Sequence, residues 1–249
     1  MYFPQQEPLV KKVKHVLDVF IRSEAKIRPH FHLTGPSGSG KSYLMNLLAT
    51  EARIPILELN AAQITSEGLA GNSLSKALRP LRQHWNDPNI IFVDEFDKLF
   101  LRNGETTEGF RSAVQDEFLT ALESKYASIF TDFGKYEQVV INNSLFIFAG
   151  AYSNQKIATI QELKDAGLRN EFVGRVPLVM TTEAVSIQDL ANHLKHVKLF
   201  RDYLEIFPDQ APKTATKAII EKLAQQSKDS NIGIRLLSSC IHQHFMGDA

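Results

Sequence analysis

Residues 35–42 read Gly35-Pro36-Ser37-Gly38-Ser39-Gly40-Lys41-Ser42: a glycine, four residues, then Gly-Lys-Ser. This is the spacing of a phosphate-binding loop. A polyphosphate needs backbone N–H donors converging on it with no side chain in the way. Gly35, Gly38 and Gly40 supply that open backbone. Lys41 puts a point charge on the β- and γ-phosphates, and the Ser42 hydroxyl is of the type that ligates Mg2+. A helix opening near Lys41 aims its positive end at the same anion. Pro36, Ser37, Ser39 and Tyr43 complete the set expected to touch the nucleotide.

A second constellation extends the chemistry from binding to hydrolysis. Asn89-Ile90-Ile91-Phe92-Val93-Asp94-Glu95 is an apolar run ending in two carboxylates. Such a run fits a strand buried on both faces of a parallel sheet. Its carboxyl end is where open α/β sheets bind ligands. Asp94 is then expected to hold Mg2+, directly or through water. Glu95 is expected to polarise the attacking water as general base.

Both constellations need elements to aim them. His30-Phe31-His32-Leu33 before the loop has strand character, and Tyr43 to Ala52 after it has helix character. Strand–loop–helix is the order the motif requires. Apolar spacing predicts helices over 8–28, 41–52, 72–85 and 107–126. The last carries Phe110, Val114, Phe118, Leu119 and Leu122 on one side. Strands are expected over 30–34, 56–59 and the acidic run. Further strands over 139–141 and 145–149 read as joined by the turn residues Asn142-Asn143-Ser144, with a last short strand near 176–180. After Thr182 the pattern is helical only, over 186–205, 212–228 and 231–245. The expected fold class is α/β: a three-layer α/β/α core with a parallel sheet over 1–182, then a small α-helical lid over 183–249.

Bulk properties set limits. Lysine plus arginine and aspartate plus glutamate number 28 each, for a formal net charge of zero. That argues against a generally basic nucleic-acid coat, though not against a local basic patch. The one cysteine, Cys240, excludes an internal disulfide and a Cys-rich zinc module, and reads as a buried apolar position. No apolar run has membrane-spanning length, and the first residues lack a secretory signal pattern. A cytoplasmic protein without a membrane partner is expected. The closely spaced His193/His196 and His242/His244 read as solvated or packing side chains, and Lys11, Lys12 and Lys14 as a solvated helix face.

Several stretches now stand in an order that resembles the AAA+ ATPases, and within them the ClpX/HslU-type unfoldases. They are Gly35 to Ser42, Ile90 to Leu99, Leu145 to Tyr152, Gly167 to Pro177 and Gly233-Ile234-Arg235. The resemblance covers most of the chain. It implies an ATP- and Mg2+-dependent ATPase that assembles into a homo-oligomeric ring, usually a hexamer. Arg175 matches the arginine finger, which reaches the γ-phosphate held by a neighbouring subunit. Arg235 matches the sensor-2 arginine of the lid. The sensor-1 residue falls among Tyr152, Ser153 and Asn154, with Asn154 the preferred chemical type.

Three departures narrow that expectation. The family's pore loop is Gly-aromatic-x-Gly, whereas this chain has Gly68-Leu69-Ala70-Gly71. Leu69 and Ala70 would grip a substrate over less surface than an aromatic. Only Ser153 to Ala166 lies where peptidase-feeding members carry a long docking insertion, so a ClpP-type peptidase is not expected as partner. No zinc module for adaptors is expected either. The preferred reading is a ClpX-like motor that remodels or unfolds protein without an attached peptidase. The alternatives are a nucleic-acid-directed AAA+ ATPase, such as a helicase loader or packaging accessory, and a slow nucleotide switch.

Overall fold

In the computed structural model, residues 2–66, 71–83, 87–99, 108–131, 134–226 and 233–247 are described. Leu69, Ala70 and the side chain of Phe110 lie outside that set. In chain order come α1 (Glu7–Arg22), β1 (Phe31–Thr34), α2 (Lys41–Ala52), β2 (Ile56–Asn60), β3 (Ile64–Thr65), β4 (Asn72–Ser73) and α3 (Leu74–Ala77). Next are β5 (Asn89–Asp94), α4 (Glu108–Glu123), β6 (Tyr126–Phe130), β7 (Tyr136–Val140) and β8 (Ser144–Gly150). Then follow α5 (Ile160–Asp165), α6 (Asn170–Arg175), β9 (Leu178–Thr181), α7 (Ile187–His193), α8 (Lys198–Ile206), α9 (Pro212–Gln226) and α10 (Ile234–Met246).

β1, β2, β5, β8 and β9 form one parallel sheet in the order β2-β5-β8-β1-β9. Alternation along each strand divides its side chains between two faces. Ile90 and Phe92 of β5, with Leu145 and Ile147 of β8, pack against α1 and α2 through Val13, Leu17, Leu44 and Leu48. Ile91, Val93, Phe146 and Phe148 face the other way, onto Val114, Phe118 and Leu122 of α4. Helices thus cover both faces, as the composition of these strands requires. A third cluster, built from Leu190, Phe200, Ile219, Leu223, Leu237 and Cys240, holds α7 to α10 together. No helix among the described residues is long and apolar enough to cross a membrane.

Several expected boundaries shift, each for a local reason. Helix α1 ends at Arg22 rather than 28, because Glu24 and Ala25 turn left-handed (φ 52° and 60°) and the Ala25 N–H closes back on the Phe20 carbonyl. Of the helix expected over 72–85, residues 84 and 85 lie outside the described set, and 72–82 form a strand, one α-turn and a 3-10 turn, since Pro80 has no N–H to donate to an α-helix. Residues 139–141 and 145–149 do not form a hairpin. β7 pairs antiparallel with β6, while β8 enters the central sheet, so Asn142-Asn143-Ser144 joins two different sheets. The helix expected over 186–205 divides into α7 and α8 at Val197, which is extended (φ −71°, ψ 123°).

Two histidines lie in this core. The His30 Nδ1 accepts the Phe146 N–H at 3.0 Å. His32 is fully buried between Phe96 and Phe148, with ring centroids 6.1 and 5.8 Å away, and neither of its nitrogens has a hydrogen-bond partner among the described residues. Burial lowers both from the usual 6.5 to about 3, and Arg28 adds to the effect at His30. The folded pKa lies below the unfolded one, so below pH 6.5 the unfolded chain takes up protons that the folded chain refuses. Stability is therefore full above pH 6.5 and falls from there toward pH 3. Each histidine contributes a slope of about 1.4 kcal/mol per pH unit. Urea melts at pH 7, 6 and 5 should show His32→Leu removing one of the two slopes; an unchanged slope contradicts the assignment.

Candidate functional site

The loop after β1 meets the end of β9 at Gly35. Its φ is 138°, and a Cβ there would lie 2.1 Å from the Thr182 Oγ1, so only glycine fits. Ser39 is buried and its hydroxyl bonds the Thr182 hydroxyl at 2.6 Å. Gly40 is the N-cap of α2, and the Leu44 N–H bonds its carbonyl. Lys41 is almost completely buried. Its Nζ donates to the Gly35 carbonyl at 2.7 Å and the Pro36 carbonyl at 3.1 Å. Burial pulls its ammonium below the usual 10.5, the carboxylates of Asp94 and Asp97 oppose that, and Arg235 adds to the lowering.

The parallel register of β5 brings the acidic pair alongside. The Ser42 Oγ donates to the Asp94 Oδ2 at 2.7 Å, and the Asp94 Oδ1 accepts the Glu95 N–H at 2.8 Å. Glu95 is exposed and left-handed (φ 55°), which turns it off the strand axis. A cavity of about 420 Å³ is lined by Lys41, Ser42, Tyr43, Asp94, Glu95 and Arg235, among others. Asn154 lines it too, and its Oδ1 accepts the Ser37 N–H at 2.9 Å. A second cavity of about 740 Å³ lies between the loop and the helical C-terminal part, with Gly35, Thr182, Val185, Ile187, Leu190 and Leu236 in its wall.

The C-terminal part touches the loop directly. The Ile234 N–H donates to the Gly38 carbonyl at 2.9 Å. Gly233 sits at φ 58°, and a Cβ there would be 2.5 Å from that same carbonyl. Arg235 follows at the start of α10, within the smaller cavity. Arg175 is elsewhere. It ends α6, lines neither cavity, and its Nε and Nη2 both donate to the Glu123 Oε1 on α4.

Asp97 and Gln6 complete the site without having been singled out in the sequence. Asp97 is 1% exposed and accepts the N–H groups of Tyr152 (3.0 Å) and Ala151 (3.4 Å). Those bonds anchor three successive left-handed residues, Tyr152, Ser153 and Asn154, at φ 50°, 54° and 61°. Left-handed residues other than glycine cost of order 1–3 kcal/mol each and persist only where their surroundings over-determine them. An acid between the buried Phe96 and Leu99 was the available signal, because a buried carboxylate needs donors. The buried Gln6 donates to the Ser39 carbonyl at 3.0 Å, while Phe3 packs in the C-terminal cluster against His193. Periodicity carried no sign of that bridge.

A family model described as "ATPase family associated with various cellular activities (AAA)" matches residues 31–192. The chain belongs to the AAA family of ATPases. Among curated proteins it is 27% identical over 255 aligned positions to "ATP-dependent Clp protease ATP-binding subunit ClpX 2" of Wolinella succinogenes. It is 26% identical to the ClpX proteins of Treponema denticola and Borrelia duttonii. These alignments cover 85–86% of this chain and 60–64% of the relatives, so the chain spans a little under two thirds of their length. The donor set fits what a AAA ATPase binds. The Ser42 hydroxyl and Asp94 carboxylate are adjacent hard oxygens of the kind that Mg2+ selects while keeping several waters. Lys41 and Arg235 line the same cavity, and cationic side chains there suit an anionic phosphate chain. Gly233→Ala should push the C-terminal part off the loop. Titration calorimetry with a non-hydrolysable ATP analogue should then give an affinity reduced about tenfold or more, the equivalent of roughly 1.4 kcal/mol, with an unchanged circular dichroism spectrum.

Proposed function

We propose that this AAA ATPase is a ring-forming, Mg2+-dependent ATP hydrolase that remodels or unfolds protein, without an attached peptidase. The observation that carries the reading is the split between two arginines. Arg235 lies in the phosphate cavity of its own chain, whereas Arg175 is held at the surface of α6 by Glu123. A finger that serves a neighbour's site must be absent from its own. The low-identity likeness to ClpX and the order of the elements support the same assignment.

In this reading residues 1–182 are the nucleotide-binding core and 183–249 the lid. The larger cavity, walled by apolar side chains, takes the base and ribose, and the smaller one takes the phosphates. Ser42 and Asp94 would hold Mg2+, which when bound would supply Lewis-acid withdrawal of charge from the phosphates. Glu95 takes a proton from the water as its oxygen bonds the γ-phosphorus and the bond to the β-phosphate oxygen breaks, leaving ADP and phosphate. Lys41 and Arg235 balance charge from within the chain. Asn154, tied to the Ser37 N–H, reports the state of the loop to the end of β8. Arg175 completes the site of the next subunit. The link from Asn154 to α6 is taken up by the capped helix α5, with Thr159 and Glu162 exchanging cap bonds. That supports a motor with no peptidase-docking loop.

Glu95→Gln should bind ATP normally and lose about 100-fold or more in kcat. Arg175→Ala should lose about 1,000-fold. Mixing the two inactive variants should restore part of the activity, because Glu95 of one chain then meets Arg175 of another. Hydrolysis at the wild-type rate by Arg175→Ala alone would sink the shared-site reading. Stimulation of the wild type by DNA and not by an unfolded protein would replace the protein-remodelling assignment with the nucleic-acid-directed one.

A further inference from the structure

We infer that Glu123, at the end of α4, is the positioning residue that sets the rotamer and free edge of Arg175; this rests on the reading of Arg175 as a finger. A guanidinium has five N–H bonds. The Glu123 Oε1 takes one from Nε, at 2.6 Å, and one from Nη2. The Glu171 carbonyl takes one from Nη1 at 2.8 Å. Among the described residues, one N–H then remains uncommitted on each terminal nitrogen, and a phosphate can engage both. Glu123 therefore does not use up the finger. It occupies the side edge and leaves the end edge for an anion.

The rest of α6 is fixed in the same way. Arg169, at its N-terminal end, is paired with Asp116 of α4 and touches the Ser112 hydroxyl. Asp116 and Glu123 are seven residues apart, two turns along one face of α4. Two carboxylates of one helix thus hold two arginines that bracket the other. The aromatic rings beneath make the mount stiff: Phe172 of α6 lies 5.1 Å from Phe96 and 5.4 Å from Phe148. A long side chain that is 31% exposed would otherwise sample many rotamers. The acid confines it before a second subunit arrives. Misplacing a charge-stabilising donor by about an ångström costs on the order of 100-fold in rate, so a loss of the holder should appear in turnover rather than in substrate binding.

The test compares Glu123→Ala, Glu123→Gln and Arg175→Ala, singly and with Glu123→Ala combined with Arg175→Ala. Assembly is followed by sedimentation and ATPase kinetics are taken at saturating Mg2+. Glu123→Ala should lower kcat about tenfold or more with KM and assembly unchanged. Glu123→Gln, which keeps an acceptor oxygen, should recover most of that loss. The double variant should be no slower than Arg175→Ala. If Arg175→Ala is inactive while Glu123→Ala keeps the wild-type kcat, the positioning inference falls and the finger reading stands. If the double variant is slower than Arg175→Ala, Glu123 acts through something other than Arg175 and the inference is overturned. If Arg175→Ala hydrolyses normally, both fall together.

Discussion

Parallel pairing puts the carboxyl ends of all five strands on one edge of the sheet, and everything chemical in this chain depends on that. The loop after β1, the acids after β5, the left-handed turn after β8 and Thr182 after β9 come from segments far apart in sequence. They meet because β1 lies between β8 and β9, and β8 pairs with β5. The Ser42–Asp94 hydrogen bond is the direct product of that edge. An antiparallel insertion among these strands would reverse one end and remove its residue from the site.

The edge alone builds only half of the surroundings. The C-terminal helices form a separate apolar cluster, yet they reach the loop closely where Gly233 and Ile234 meet Gly38 and Gly40. The N-terminal residues cross the same seam: Phe3 belongs to the C-terminal cluster and Gln6 to the loop. The two cavities are therefore bounded on one side by the sheet edge and on the other by the C-terminal helices, which touch the loop through Gly233 and Ile234. Such a boundary is suited to responding to what lies between.

The strongest signals in the sequence were those written in contiguous residues. Gly35 to Ser42, Asp94 with Glu95, and the buried strands were legible because a backbone cradle, a pair of acids and a run of apolar side chains each occupy neighbouring positions. Elements failed to be legible where long-range pairing overruled local pattern. β7 has the turn signal of a hairpin with β8, but β8 pairs instead with the distant β1 and β5, and β7 with β6, the strand just before it. The end of α1 escaped because Glu24 and Ala25, not glycine, adopt the left-handed conformation. Asp97 and Gln6 act through backbone groups of distant segments, and a single sequence does not record which backbone groups lie near. Arg175 and Arg235 were visible only through the likeness to a family, since nothing in an isolated arginine states its partner.

The contact at Ile234 has a mechanical meaning. It stands at the first residue of α10, which runs 13 residues to Met246. At 1.5 Å per residue the helix is about 20 Å long. A pivot at one end of such a rod multiplies small displacements: a tilt of about 15° at the Gly38 carbonyl sweeps the far end by roughly 5 Å, close to the pitch of one helical turn. The glycine on each side of the pivot leaves no slack in the bearing. The loop after β1 and the long arm of α10 thus have the geometry of a lever, with its fulcrum at the Ile234–Gly38 hydrogen bond.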